Sequence, residues 1–267
     1  MPLLTCPPAA GRRRQSVNNA RVRRRLLCGM ALVGCAAAAE GRAAAPGTRT
    51  DLRLLVGFPP GGATDVVARL YAEQWRALGN ASVLVENKPG AGGWLAVEAL
   101  SAAPPDGATL LVTPASLLTI TPHAYPRSTR YDPLRDLVPV SPLCSFPFAW
   151  VVPAAHPARS LDEFRLWASG RGTVAFASPA AGSMPHLPAL TAQEWFGLFL
   201  PGGSSPEILS LFHRRVGSAQ LAAPVVNGLT RLDYQPLLLS PDAFAARLLA
   251  EHAEWGQAVR KIELALE

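Results

Sequence analysis

Short apolar runs alternate with longer stretches of helical period along this chain. Arg53 to Phe58 (RLLVGF), Ser82 to Glu86 (SVLVE) and Thr109 to Thr113 (TLLVT) are apolar, rich in branched side chains and bounded by turn residues. Each reads as a buried strand. Between the first two, Thr64 to Leu78 sets Val67, Leu70, Tyr71, Trp75 and Leu78 at a 3.6 spacing, which predicts a helix. Gly79 suits its C′ position, and Thr64 or a neighbouring loop residue can cap its first turn. Trp94 to Ala102 predicts a second helix, and Pro104-Pro105-Asp106-Gly107 a turn. Strand–helix–strand–helix–strand at this spacing predicts an α/β fold of parallel βαβ units with right-handed crossovers. Farther on, Phe148 to Val152, Thr173 to Ala177 and Trp195 to Leu200 read as strands. Ser160-Leu161-Asp162-Glu163 is a capping-box start for a helix to about Ser169. Ser205-Pro206-Glu207 opens another, with proline in its first turn. Ser240-Pro241-Asp242 opens a third, running to about Glu263 with Phe244, Leu248 and Trp255 on one face.

Two glycine-proline loops interrupt this pattern where a strand gives way to a helix. The first is Val56-Gly57-Phe58-Pro59-Pro60-Gly61-Gly62-Ala63-Thr64-Asp65, and the second is Glu86-Asn87-Lys88-Pro89-Gly90-Ala91-Gly92-Gly93. Such loops aim several backbone N–H groups in one direction at the positive end of a helix dipole. In parallel sheets ligands bind beyond the C-terminal strand ends, where both loops fall. Together they suit a small anion, most simply a carboxylate. Neither loop is followed by the Gly-Lys-Ser/Thr of a nucleotide P-loop, and neither has dinucleotide G-x-G-x-x-G spacing.

The amino terminus has a different character. Arg12, Arg13, Arg14, Arg21, Arg23, Arg24 and Arg25 form a basic region, Leu26 to Ala39 an apolar one, and small residues follow to Ala45. This is a secretory signal pattern over residues 1–45. Its 14 apolar residues fall short of the roughly 20 that a membrane span needs. Cleavage after either Ala37-Ala38-Ala39 or Ala43-Ala44-Ala45 satisfies the small-residue rule. Leu32-Val33-Gly34-Cys35 also reads as a lipobox that would leave a lipidated Cys35; the alternative is that Cys35 is an ordinary apolar residue of the signal. Arg23-Arg24-Arg25-Leu26-Leu27 weakly resembles a twin-arginine signal.

Removing this segment changes the electrostatic picture. The whole chain has a net charge of +6, but eight of its 25 Lys+Arg and one of its 19 Asp+Glu lie in residues 1–45. The remaining 17 basic and 18 acidic residues give −1. That balance argues against nucleic acid as a partner. Of four cysteines only Cys144 lies beyond the signal segment, so no disulfide framework is expected.

Individual side chains carry competing readings. Asp65 suits a ligand amine or hydroxyl, or simply the first turn of a helix. Lys88, one of two lysines, adds attraction for an anion or is a solvated loop cation. Ser178 and Ser183 are candidate donors to the far end of a ligand, or plain turn residues. His186 would donate to a carboxylate or cap the following helix. His123, His156, His213 and His252 lack metal-ligand spacing, so no metal or other cofactor is expected. Trp94, Trp150, Trp167, Trp195 and Trp255 read as packing residues. Ser183 with His186 is the only local nucleophile–base pair, with no G-x-S-x-G elbow and no placed acid, so an enzyme is not expected.

The segments LRLLVGFPPGGATDVVARL, VLVENKPGAGG, APPDGATLLV, YDPLRDLVPVSPL, VAFASPAAGSMPHL, WFGLFLPGG and SPDAFAARLLAEHAEWGQAVRK span most of residues 52–262. In this order they resemble the extracytoplasmic receptors of tripartite tricarboxylate transporters, the Bug (Bordetella uptake gene) family. The resemblance implies a two-lobed periplasmic-binding-protein fold of type II that closes on a small organic acid and delivers it to membrane permease subunits. It assigns carboxylate binding to Phe58, Pro59, Pro60, Gly61, Gly62, Thr64 and Asp65, and to Asn87, Lys88, Pro89, Gly90, Ala91, Gly92 and Gly93, partly through bridging water. From the second lobe it adds Ser178, Gly182, Ser183 and His186. A periplasmic location follows.

The chain departs from the family after Met184-Pro185-His186-Leu187, which runs almost directly into Pro188 to Ala192 and Trp195. A block on the order of a quarter of a receptor is missing there. The expected division is residues 46–144 as the first part of lobe 1, 145–193 as a truncated lobe 2, and 194–267 as a return strand and C-terminal helices. Domains below about 40–60 residues are marginal without staples. The alternative to a working receptor is therefore a degenerate chain without transport activity, at most an interaction or sensor module.

Overall fold

The three apolar runs of the first half form β1 (Asp51–Val56), β2 (Ser82–Asn87) and β3 (Thr109–Pro114), with β1 parallel to both of the others. The structure, a computed structural model, describes residues 51–79, 82–149, 151–172, 174–175 and 193–261. Residues 1–50, which include the expected signal segment and Cys35, most of Thr173 to Ala177 and the loop Ser178 to His186 lie outside the described residues. The described residues all fall within one unit, Arg49–Glu267. Its helices are α1 (Ala63–Ala77), α2 (Trp94–Ser101), the single turns α3 (Ser116–Thr119) and α4 (Thr121–Ala124), α5 (Leu161–Ser169), α6 (Pro206–Gln220), α7 (Ala223–Arg231) and α8 (Pro241–Lys261). Further strands are β4 (Leu137–Pro147), β5 (Gln193–Pro201) and the two-residue β6 (Gln235–Pro236).

The strands make one sheet in the order β2-β1-β3-β5-β4-β6. β5 contains the expected Trp195 to Leu200 run and lies antiparallel between β3 and β4. The expected strand at Phe148 to Val152 is not formed: Phe148, Ala149, Val151 and Val152 are irregular. The strand is β4, just before it, and its Pro139, Pro142 and Pro147 hide it in the sequence. The register against β5 shifts between Pro139 and Ser141 and again between Pro142 and Cys144. The outer edge of β4 is paired only at Cys144 and Ser145, by β6. Prolines at bulges and along an open edge remove few ladder hydrogen bonds.

Alternating strand residues feed two cores. Leu52, Leu54, Val56, Leu110, Val112, Leu198 and Leu200 face Val67, Tyr71 and Trp75 of α1, Phe212 and Val216 of α6, and Val225 and Leu229 of α7. Leu55, Leu111, Trp195 and Phe199 face Val97 and Leu100 of α2, Leu117 and Leu118 of α3, and Phe244 and Leu248 of α8. A period of two therefore sorts one sheet between two helical layers. Buried polar groups close the bulged region: Tyr71 Oη donates to Leu143 O at 2.9 Å, and Gln220 Nε2 to Leu237 O at 2.9 Å and Leu143 O at 3.1 Å. At the opposite edge, Arg76 donates to Val83 O on β2 through Nε at 2.9 Å and Nη2 at 2.6 Å.

The serine capping signals act as the sequence predicts, whereas α1 is not capped by Thr64 or another side chain and has Gly62 as its N-cap. Ser160 Oγ accepts from Glu163 N, while Glu163 Oε2 accepts from Arg159 N. Ser205 caps α6, and Ser240 Oγ accepts from Ala243 N at the start of α8. α5, however, buries none of its residues. His156, Phe164 and Trp167 cluster locally, with Arg171 over the Trp167 ring, and Leu166 stays 76% and Val151 90% exposed.

Candidate functional site

Both glycine loops leave the same end of the sheet, because β1 and β2 are parallel and in register from Asp51/Ser82 to Val56/Asn87. The loops also touch. A Cβ on Gly57 would lie 2.3 Å from the Gly93 carbonyl oxygen, so only glycine lets the two backbones approach this closely. Gly93 sits at φ +108° with Phe58 and Leu117 packed over its Cα. The second loop turns on positive φ at Gly90, Ala91, Gly92 and Gly93 before α2 begins. In the first loop, Gly62 N donates to Pro59 O and Gly62 serves as the α1 N-cap without a side-chain cap. Helix geometry leaves the N–H groups of Ala63, Thr64 and Asp65 without intrahelical acceptors. Pro59, Pro60, Gly61, Pro89, Gly90, Ala91 and Gly92 are exposed, whereas Thr64 is buried.

Asp65 does not face outward. It is 1% exposed; its Oδ2 accepts from Gly61 N and Arg69 Nε, both at 2.8 Å, and its Oδ1 from Asn87 Nδ2 at 2.8 Å. Burial alone would raise the Asp65 carboxyl, but the bonds from Arg69, Gly61 and Asn87 hold it below the ordinary carboxylate range. Asn87 Nδ2 also reaches Phe58 O at 2.9 Å, and Arg69 Nη2 donates to Asn87 Oδ1 at 3.1 Å. Arg69 was invisible as a site residue in the sequence, although its i,i+4 spacing from Asp65 is the readable signal. Lys88 Nζ pairs with Glu86 Oε1 at 2.7 Å, and Arg53 with Glu86 Oε2 at 2.7 Å. Lys88 and Arg53 together hold the Glu86 carboxyl below its usual range.

A third group closes this end of the sheet. Glu194 on β5 is 5% exposed and accepts from Ser116 N, at the start of α3, at 3.0 Å. Burial pushes its carboxyl up to about 7. No sequence pattern marks Glu194, because the partner is 78 residues away. Ser178, Gly182, Ser183 and His186 lie outside the described residues, so the structure brings together the candidates of the two glycine loops only. The described histidines fall elsewhere: His123 and His252 lie with ring centroids 4.3 Å apart and their planes tilted by 48°, and each bonds a backbone carbonyl. Among the described residues no group of three or more His, Cys, Asp or Glu could hold a metal, and no helix is long and apolar enough to cross a membrane. A surface depression of about 320 Å³ on α6, lined by Pro206, Glu207, Ser210 and Arg214, shares no residue with the loops.

Known proteins resemble this chain in sequence and in fold. Residues 67–194 match the model of the tripartite tricarboxylate transporter family receptor. The UPF0065 protein in the gbd 5′ region of Cupriavidus necator is 31% identical over 174 residues, 62% of this chain and 52% of that protein. Protein BugT of Bordetella pertussis is 25% identical over 314 positions, 87% of this chain and 96% of BugT. The chain thus spans about half of the first of these relatives. Among solved structures, MatC from Rhodopseudomonas palustris with bound malate superposes with a TM-score of 0.63 at 24% identity, over 80% of this chain and 99% of MatC. An R. palustris protein with adipate gives 0.69 at 20% identity, over 82% of this chain and 99% of that one. The periplasmic binding protein BugD gives 0.65 at 17% identity, over 80% and 98%. The fold is that of these periplasmic binding proteins, and the family is one of solute-binding receptors rather than enzymes. Over residues 67–194 the chain is similar to the receptors of the tripartite tricarboxylate transporter family, and over most of its length to the Bug-type protein BugT.

Proposed function

We propose that this protein is a periplasmic receptor that captures a small organic acid for a tripartite tricarboxylate transporter, with membrane permease subunits as its partners. The observation that carries the reading is the contact between the two glycine loops at the ends of parallel β1 and β2. Backbone N–H groups from Phe58–Asp65 and Asn87–Gly93, with the amino terminus of α1, replace the hydration shell of one carboxylate. Ser178, Gly182, Ser183 and His186 serve the far end of the ligand. The malate bound to MatC and the adipate of the second R. palustris protein support a di-carboxylic acid as the ligand class. No chemistry is done on it, and no cofactor is needed. Residues 1–45 direct export, residues 46–144 and 194–267 build lobe 1, and residues 145–193 are what remains of lobe 2.

A second reading has its own support. The match to BugT covers 314 positions, more than the 267 residues of this chain, so BugT has positions without a counterpart here. α5 buries nothing. Both observations favour a receptor whose second lobe closes poorly or not at all. Thermal unfolding of the purified chain with malate, adipate and a panel of di- and tricarboxylates separates the two readings. A ligand at 100 times its dissociation constant adds about 2.7 kcal/mol to a working receptor. A cooperative melt that no acid shifts favours the degenerate chain.

A further inference from the structure

Three side chains join the two glycine loops through a closed ring of hydrogen bonds. Asp65 Oδ1 accepts from Asn87, Asp65 Oδ2 from Arg69, and Asn87 Oδ1 from Arg69. Each member also reaches a loop or belongs to one. Asp65 Oδ2 holds Gly61 N in the first loop, and Asn87, where the second loop begins, holds Phe58 O in the first. Both amide protons of Asn87 and its carbonyl are committed. Turning the amide over would set its oxygen against the Asp65 carboxylate and its NH₂ against the guanidinium, so one orientation is fixed. Gly57 against Gly93, and Lys88 N donating to Val56 O at 2.8 Å, are further ties between the loops. These backbone ties hold the loops together near the strand ends, and the side-chain cluster adds bonds farther along the first loop, at Phe58 and Gly61.

We propose that Asp65, Arg69 and Asn87 form a positioning cluster that fixes the spacing of the two glycine loops. Its effect on affinity rests on the carboxylate-receptor reading; its effect on the loops does not. In this role the three side chains hold the loops, and the ligand is left to backbone N–H groups. Asp65 is buried with both oxygens engaged, and Arg69 reaches the second loop only through Asn87. Because the cluster matches one guanidinium with one carboxylate, it holds the loops without adding a net charge beside a bound anion.

Amide hydrogen exchange on the full chain tests this without any ligand, because exchange reports local opening. Arg69→Lys keeps the charge but loses the planar fork that reaches both partners. Protection is expected to fall about tenfold in residues 58–62 and also in 88–93, as expected for losing hydrogen bonds to charged groups. Loss confined to residues 58–62, or none, overturns the proposal. Asn87→Asp supplies a second readout. It sets two carboxylates together, so one takes up a proton on acidification and can again donate. Corrected for intrinsic rates, loop protection is low near pH 7.5 and recovers near pH 5, which a merely structural defect would not do; failure to recover overturns the proposal. Adipate and malate titrations are read separately. If the unmodified chain binds either acid and Arg69→Lys loosens the loops without weakening binding, the role in affinity is wrong. If the unmodified chain binds neither acid, the receptor reading fails while the exchange result still judges the cluster.

Discussion

The closest constraint in the molecule is one missing methyl group. Gly57→Ala would push a Cβ to within 2.3 Å of the Gly93 carbonyl oxygen, and backbone on both sides must yield. Overpacking of this kind costs about 1–3 kcal/mol. The melting temperature should fall and exchange should rise in both loops, whereas Gly61→Ala meets open space around its Cβ and is opposed only by the strain of its φ of +82°. Glu194 gives a second prediction at this scale. Burial raises its carboxyl to about 7 in the folded chain, against 4.5 ordinarily. The folded state therefore holds the proton more tightly than the unfolded one. This contribution is fully present below about pH 4.5 and is lost as pH rises through about 7. Glu194→Gln keeps an acceptor for Ser116 N and has no charge to bury. The variant should gain on the parent by about 3 kcal/mol between pH 5 and pH 8. Parallel denaturant titrations at several pH values measure this, and a constant difference would show that Glu194 is not protonated in the fold.

Among the elements, α5 stands apart because capping forms it although none of its residues is buried. Ser160→Ala removes the bond to Glu163 N and should cost α5 about 1 kcal/mol of local stability. Since none of its residues is buried, the main unfolding transition should stay within error while exchange across residues 161–169 accelerates. The sequence made α5 legible through local chemistry, as it did α1, α6 and α8. It made β1, β2 and β3 legible through apolar runs. It hid β4, because proline argues against a strand until a bulge and an open edge are known to accommodate it. Gln220 was hidden for a related reason: its worth lies in the carbonyls of Leu143 and Leu237, and nothing local announces them. Gln220→Leu should destabilise by about 1 kcal/mol, chiefly through the Leu237 carbonyl that loses its donor while Tyr71 still serves Leu143 O, read as a lower denaturation midpoint.

At the scale of the molecule, the candidate site combines backbone that the sequence announces with side chains that it does not. Glycine and proline mark the loops, because few other residues take those conformations. The cluster behind them depends on Arg69 meeting Asn87 across 18 residues, which only the β1–β2 pairing brings about. That cluster changes the electrostatics of the whole site. Arg69 is matched by Asp65, whereas Arg53 and Lys88 share the single carboxylate of Glu86, so one positive charge is left over beside the second loop. A carboxylate bound by the backbone dipoles of the loops would feel that charge. Its dissociation constant for adipate should then rise between about 20 mM and about 200 mM salt, because screening weakens the attraction. A dissociation constant that does not change with salt, read by calorimetry, would show that this charge does not reach the bound acid.

The guanidinium of Arg76 on the Val83 carbonyl acquires a meaning beyond its two bonds. β2 ends the sheet, and its outer side is a rail of peptide groups on which another extended chain could align. Arg76 occupies one rung of that rail with paired donors. A newcomer must evict a charged fork before it can zip alongside, so the sheet carries its own stop against growing sideways into an aggregate.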